Sequence, residues 1–238
     1  MIGDHKIFVV VPAHNEQLLI GRMLRRVPAL VDQVLVVDDA SDDETSAAAR
    51  AVGDDRVRVI RHARNAGVGA AIATGYREAL VQGADVTVVM AGDDQMHPDD
   101  LPALVGPVLD GTADYTKGDR LRHPEVRKAM PWTRRLGGKV LSACTGLAVG
   151  MPGLSDSQCG YTAIARRALA SLDLDGLWPR YGYPNDLLGQ LGQRGMRVQD
   201  VVVRAVYADE KSELRARHAL RIGWLIARAA WRMRHPGE

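Results

Sequence analysis

Four short runs dominated by β-branched residues punctuate the first part of the chain: KIFVVV at 6–11, VLVVD at 34–38, VRVIR at 57–61 and DVTVVM at 85–90. Each is bounded by polar or glycine-containing segments, the pattern of a strand buried on both faces. Between them lie stretches of helical character at about 16–28, 43–52 and 67–82, with Ser41 or Asp42 placed to cap the second. Strands and helices that alternate at this length predict right-handed crossovers and a doubly wound α/β sheet covered by helices on both sides. In such sheets ligands bind beyond the carboxyl ends of the strands. The four runs exit into PAHNE, DDASDDE, RHARNAGVG and AGDDQMHPDD, so all four polar clusters fall on one rim. That coincidence predicts a ligand site there.

Composition limits what the ligand can be. A chain of 238 residues with 46% hydrophobic and 25% charged residues is an ordinary globular protein, and a net charge of +2 speaks against a nucleic-acid binder held by bulk charge. Cys144 and Cys159 form no CxxC pair and no disulfide framework, which suits a reducing compartment; both read as small buried hydrophobes. The apolar run after Lys6 meets Pro12, His14 and Glu16 too early for a signal sequence, and no run reaches the roughly 18 apolar residues of a spanning helix. A cytoplasmic protein is the expectation.

Among the rim residues, Gly67, Gly69 and Gly75 in RNAGVGAAIATGY resemble a phosphate cradle only superficially. They follow the third strand rather than the first, and no GK[ST] ending is present, so they fit close backbone approach to a ligand or close helix packing. Asp38 and Asp39 can accept hydrogen bonds from a base or ribose, whereas the run Ser41–Glu44 reads equally as helix capping. Asp93 and Gln95 alternate at the tip of the fourth strand and offer oxygen donors to a hard cation, Mg²⁺ or Mn²⁺, bridging diphosphate oxygens. His97, followed by Pro98, Asp99 and Asp100, reads as a helix start.

The order PAHNE, VVDDASDDET, RNAGVGAAIATGY, GDDQMHPDDLPAL, followed by KGDR (117–120), SDSQCGYTAI (155–164) and VRAVYADEKSEL (203–214), resembles the glycosyltransferases of family 2, in the branch that acts on polyprenyl phosphates. The resemblance runs from about residue 6 to 214. It implies a GT-A, Rossmann-like mixed sheet in one domain, 1–212, with a donor half to 117 and an acceptor half beyond, and a basic amphipathic helix over 213–238. It also implies inverting transfer from a UDP- or GDP-sugar to a polyprenyl phosphate. A hydroxyl acceptor and a silent nucleotide-sugar-binding module are the alternatives.

Carried over, Pro12, His14, Glu16, Asp38, Asp39, Asn65, Gly67 and Asp93 line the nucleotide-sugar pocket, and Lys211 reaches the donor phosphates when its loop closes. Asp93 matches the second acid of the DxD motif and Gln95 the glutamine that follows, the two metal ligands. Where the family's DGDGQ has its first acid this chain has Ala91, with Asp94 added beside Asp93. Asp156 and then Asp186 are the candidates for a base or acceptor-orienting carboxylate. Arg120, Arg134 and Arg135 resemble phosphate-contacting residues.

In the second half, residues 125–149 read as a helix pair or one helix interrupted around Gly137-Gly138, and 184–194 as another helix. In the tail, Leu220, Trp224, Ala227 and Trp231 form an apolar stripe among arginines. Such a helix can lie peripherally on the inner face of a membrane, and can equally pack on the domain or a partner.

Overall fold

The β-branched runs form strands where expected: β1 (Ile7–Ala13), β2 (Gln33–Asp38), β3 (Val57–Arg61) and β4 (Val86–Val89). This is a computed structural model, and it describes residues 4–125, 130, 132–204 and 216–234. Three further strands, β5 (Tyr115–Asp119), β6 (Thr162–Ala165) and β7 (Val198–Val202), complete one seven-stranded sheet in the order β3-β2-β1-β4-β6-β5-β7. The first four strands are mutually parallel; β6 runs antiparallel to both β4 and β5, and β7 pairs parallel with β5. The sheet is therefore mixed.

Both faces are covered, as the strand composition requires. Ile7, Val9 and Val11 of β1 pack with α1 (Ile20–Arg25), α2 (Thr45–Arg50) and α4 (Leu101–Leu109), while Phe8 and Val10 pack with α3 (Val68–Gln82), α6 (Arg166–Ser171) and α7 (Tyr183–Gln193). From β1 the chain steps outward to β2 and β3, then returns across β1 to β4. The strand order reverses between β1 and β4, which opens a crevice at their carboxyl ends. PAHNE and AGDDQ border it.

Several local expectations change. The first two helices are shorter than their apolar periodicity suggested. Neither Ser41 nor Asp42 caps α2: Ser41 donates its amide and hydroxyl to Asp38, and Asp43 accepts the Thr45 amide at 3.0 Å instead. Residues 132–148 form a single helix, α5 (Trp132–Ala148), which runs through Gly137-Gly138 without a break. A glycine costs a helix about 1 kcal/mol and removes no backbone donor, and the buried Ser142 and Thr145 anchor this one to the domain. Cys159 is buried as expected, but Cys144 is exposed on α5.

The tail forms α8 (Ala216–Arg234) and packs on α7 through Leu225 and Ala229, both fully buried. Gly189 permits the approach: a Cβ there would meet the Ala229 Cβ at 2.9 Å. Trp224 meets the Trp178 ring edge-on at 5.6 Å, and its outer surface, like that of Trp231, remains about half exposed. No helix among the described residues is long and apolar enough to cross a membrane.

Candidate active site

The loops after β1, β2 and β3 are tied into one rim by their polar side chains. The Asn15 amide donates to Ser41 Oγ at 3.0 Å, the Asp42 amide to Asn15 Oδ1 at 2.8 Å, and the Glu16 amide to Thr45 Oγ1 at 2.8 Å. Asn15 takes a left-handed φ of +60° to make this junction. Asn65 Nδ2 approaches His14 Nε2 at 3.3 Å, so the exposed His14 and Asn65 face each other across the rim. The expected pocket residues His14, Glu16, Asp39, Asn65 and Gly67 thus lie on contiguous loops, with Pro12 at the end of β1 beside them.

The two aspartates after β2 hold this rim in shape. Asp38 is fully buried and accepts from the Ser41 amide (2.8 Å), Ser41 Oγ (2.6 Å), Ser46 Oγ and Arg61 Nη1 (2.7 Å). Asp39 Oδ1 accepts the Ala66 amide at 2.8 Å and sits 2.8 Å from His62 Nδ1, and Oδ2 accepts the Gly67 amide at 2.6 Å. Burial pushes both carboxyls up, but these donors outweigh it and hold both below their ordinary value. The ring of His62 reaches on to Thr74 Oγ1 at 3.0 Å, a link that sequence reasoning missed.

The glycine loop is no phosphate cradle. Its amides at 66 and 67 belong to Asp39, and the Ala70 amide donates to the Pro179 carbonyl at 3.0 Å. Gly67, at φ +102°, and Gly69 are small because the 178–180 backbone lies against them: a Cβ at 69 would stand 2.1 Å from the Trp178 carbonyl oxygen. Close packing is the reading that holds.

At the end of β4, the Gln95 amide donates to Asp93 Oδ1 at 3.1 Å and the Gly92 amide to the Pro12 carbonyl at 3.4 Å. Asp94 does not stand in for the acid missing at Ala91. It is buried and turned toward α1, 2.6 Å from Arg22 Nε and 2.8 Å from Arg26 Nη1. His97 accepts the Asp99 amide, the helix start its sequence implied, while Asp100 receives the Arg204 guanidinium at 2.6 and 2.8 Å.

Across the sheet, Asp156 and Arg120 come together. Arg120 Nε and Nη2 lie 2.7 and 3.1 Å from the two Asp156 oxygens. Burial raises the Asp156 carboxyl, and the opposing charges of Arg120 and Lys117 bring it below its ordinary value, so it stays ionised. Beneath it, Lys117 is wholly buried on β5, donating to the Asp156 carbonyl at 2.7 Å and pairing with Asp200 at 2.9 Å; Asp200 in turn accepts the Ser155 amide at 2.7 Å. Beside this network a cavity of about 660 Å³ is lined by Leu121, Arg122, Arg135, Lys139, Gly153, Leu154 and Ser155. Arg135 was expected there; Arg122 and Lys139 were not singled out, although Lys139 lies one helical turn beyond Arg135 and such a spacing puts both on one face.

Asp186 lies elsewhere. It is fully buried in the first turn of α7, accepting the Trp178 amide at 2.8 Å with Arg228 of α8 at 3.9 Å, and so fastens the 178–180 segment and the last helix. Lys211 and the side chain of Arg134 lie outside the described residues.

A parallel sheet that reverses at β1/β4 and continues as a mixed half is the architecture of the GT-A sugar-transfer folds. The chain belongs to glycosyl transferase family 2, whose model matches residues 8–172, more than half its length. It is 28% identical over 223 residues to a UDP-N-acetylglucosamine–dolichyl-phosphate N-acetylglucosaminyltransferase of Methanococcus voltae, covering 87% of this chain and 88% of that one. Over 215 residues it is 32% identical to the undecaprenyl-phosphate mannosyltransferase of Micrococcus luteus, 84% of each. Glucosyl-3-phosphoglycerate synthase of Mycobacterium tuberculosis, solved with uridine diphosphate, superposes with a TM-score of 0.70 at 25% identity over 96% of this chain and 81% of that one.

Proposed function

We propose that this protein transfers a sugar, with inversion, from a nucleotide-diphosphate donor held at the β1–β4 rim to the phosphate of a polyprenyl phosphate. The observation that carries the reading is the basic cavity of Arg122, Arg135 and Lys139 beside a carboxylate that is a poor base. A hydroxyl acceptor needs a group to take its proton, and Asp156, ionised and clamped by Arg120, has little affinity for one. A phosphate arrives already ionised and needs cations to receive it. Asp156 and Arg120 then orient the acceptor rather than deprotonate it.

The lipid part of the acceptor is supported by α5. Trp132, Leu136, Val140 and Leu147 are each more than half exposed and lie along one helical face, with Arg135 and Lys139 beside them. An apolar stripe bordering a basic cavity suits an amphiphile with an anionic head, and with Trp224 and Trp231 of α8 it suits peripheral contact with a membrane. The relatives from Methanococcus voltae and Micrococcus luteus are named for lipid-phosphate acceptors, in keeping with this choice.

A divalent cation, Mg²⁺ or Mn²⁺, fits the donor corner only in part. Among the described residues no group of three or more His, Cys, Asp or Glu side chains gathers as a metal site. Asp93 and Gln95 supply two oxygen donors, enough for an ion shared with a diphosphate and completed by water, and too few for one held by protein alone. Such an ion would neutralise charge on the leaving diphosphate. The residues at 12–16, 39 and 65–67 orient the nucleotide.

The test is transfer from labelled UDP- and GDP-sugars to undecaprenyl phosphate, compared with 3-phosphoglycerate and simple alcohols. Arg135→Ala with Lys139→Ala should raise the acceptor KM by about 10- to 100-fold and leave the donor KM unchanged, the expected loss for hydrogen bonds to a charged group. Transfer to alcohols alone would refute the assignment.

A further inference from the structure

Asp94 occupies a position that its neighbours do not explain. Its φ of +58° lies in the left-handed region that favours glycine, and glycine is what the DGDGQ pattern carries there. Yet its side chain is buried and each carboxylate oxygen meets a different arginine: Oδ2 meets Arg22 of α1 and Oδ1 meets Arg26 just past its end. Those arginines are four residues apart, so the carboxylate ties the body of α1 to its C-terminal end.

The other end of α1 begins at the donor rim. The Glu16 carbonyl accepts the Leu19 and Ile20 amides at 3.0 and 2.9 Å, and Ile20 packs against Gly92, whose Cβ, if present, would lie 3.0 Å from Ile20 Cδ1. Between Ala91 and Met96 the turn takes a long backbone bond to Pro12 and a contact of the Ala91 amide with Met96 Sδ at 3.2 Å. The ion pairs of Asp94 fasten this turn to α1, and through α1 to the rim.

We infer that Asp94, with Arg22 and Arg26, is a positioning residue for Asp93: it sets the turn so that Asp93 and Gln95 face the donor diphosphate in a chain whose first acid is Ala91. Ala91 offers no side-chain oxygen donor, so what this turn presents to a cation depends on the direction of Asp93 and Gln95. The arginine clamp sets that direction. This inference rests on the proposed donor site.

The experiment is isothermal titration of UDP, and separately GDP, into the full chain with and without Mn²⁺, alongside thermal melting. Asp94→Gly keeps the left-handed backbone free of strain, so the variant should fold. It should bind the nucleotide about tenfold more weakly in Mn²⁺, a change of 1.4 kcal/mol, while metal-free binding stays near wild type. Arg22→Gln combined with Arg26→Gln should reproduce the effect. In turnover, the donor KM should rise in both and the acceptor KM stay fixed. Equal Mn²⁺-dependent affinity in wild type and Asp94→Gly would overturn the positioning role alone. Failure of the wild-type protein to bind either nucleotide would overturn the donor site beneath it.

Discussion

Replacing Gly69 with alanine tests the packing that holds the rim after β3. Alanine near the start of a helix ordinarily adds up to about 1 kcal/mol over glycine. Here the new Cβ would stand 2.1 Å from the Trp178 carbonyl oxygen and 3.0 Å from both the Pro179 carbonyl carbon and the Tyr183 Cβ. Overpacking of this kind costs about 1–3 kcal/mol, and a backbone carbonyl cannot step aside by changing rotamer, so the loss belongs near 3 kcal/mol. Set against the propensity gain, a net destabilisation of about 2 kcal/mol is expected. The control is Gly137→Ala on α5, where nothing lies within 4 Å of the added Cβ; it should stabilise by about 0.5–1 kcal/mol. Urea unfolding followed by circular dichroism reads both, with unchanged slope and a shifted midpoint. If Gly69→Ala moved the midpoint upward as Gly137→Ala does, the 178–180 segment could not rest on α3, and the account of the glycine loop would fail.

Lys117→Met should leave the Asp200 carboxylate without its buried partner and destabilise by about 3–5 kcal/mol, and adding Asp200→Asn should recover much of that loss; equal midpoints for the single and double variants would contradict the pairing. Asp38, Asp39 and Asp156 all have folded values below the ordinary 3.8. Their stabilisation is therefore complete above that value and is lost as pH falls through the lower folded ones, so urea midpoints should hold steady from about pH 7 to 5 and drop below about pH 4. Asp38→Asn should flatten that drop. Asp39→Asn keeps the side-chain size but weakens the hold on the 66–67 amides, and should lower UDP or GDP affinity by about tenfold by titration, a loss of one charge-assisted hydrogen bond.

The first half was legible in the sequence because its signals are local. A β-branched run ending in polar residues announces both a strand and the direction of its exit, and four of them place the rim. The other half depends on partners far apart in the chain. Nothing in TAIA says that it inserts antiparallel between β4 and β5, since edge pairing is settled by the whole sheet. Lys117 stands among polar and charged residues in TADYTKGDR, so nothing local marks it as buried, and its meaning comes from Asp200, which the sequence does not place beside it. Asp94 looked like an extra ligand because adjacency suggested it; the left-handed turn and Arg22 and Arg26, in and just after α1 some seventy residues earlier, send it the other way. Ser41 looked like a cap because the preference for serine at helix starts is local, whereas its actual partner, Asp38, is fixed by tertiary burial.

The segment that carries α5, Asp156 and the basic cavity leaves the sheet at β5 and re-enters at β6, and these strands are neighbours, with Lys117 opposite Thr162. Its two ends are thus stapled side by side on a platform that the rest of the chain builds. Such an excursion can be exchanged for one of another length or shape while every ladder bond of the platform stays in place. On the proposed assignment, a lineage of these proteins could retool what receives the sugar without rebuilding what delivers it, and grafting a relative's 120–161 equivalent onto this sheet is the way to put that freedom to use.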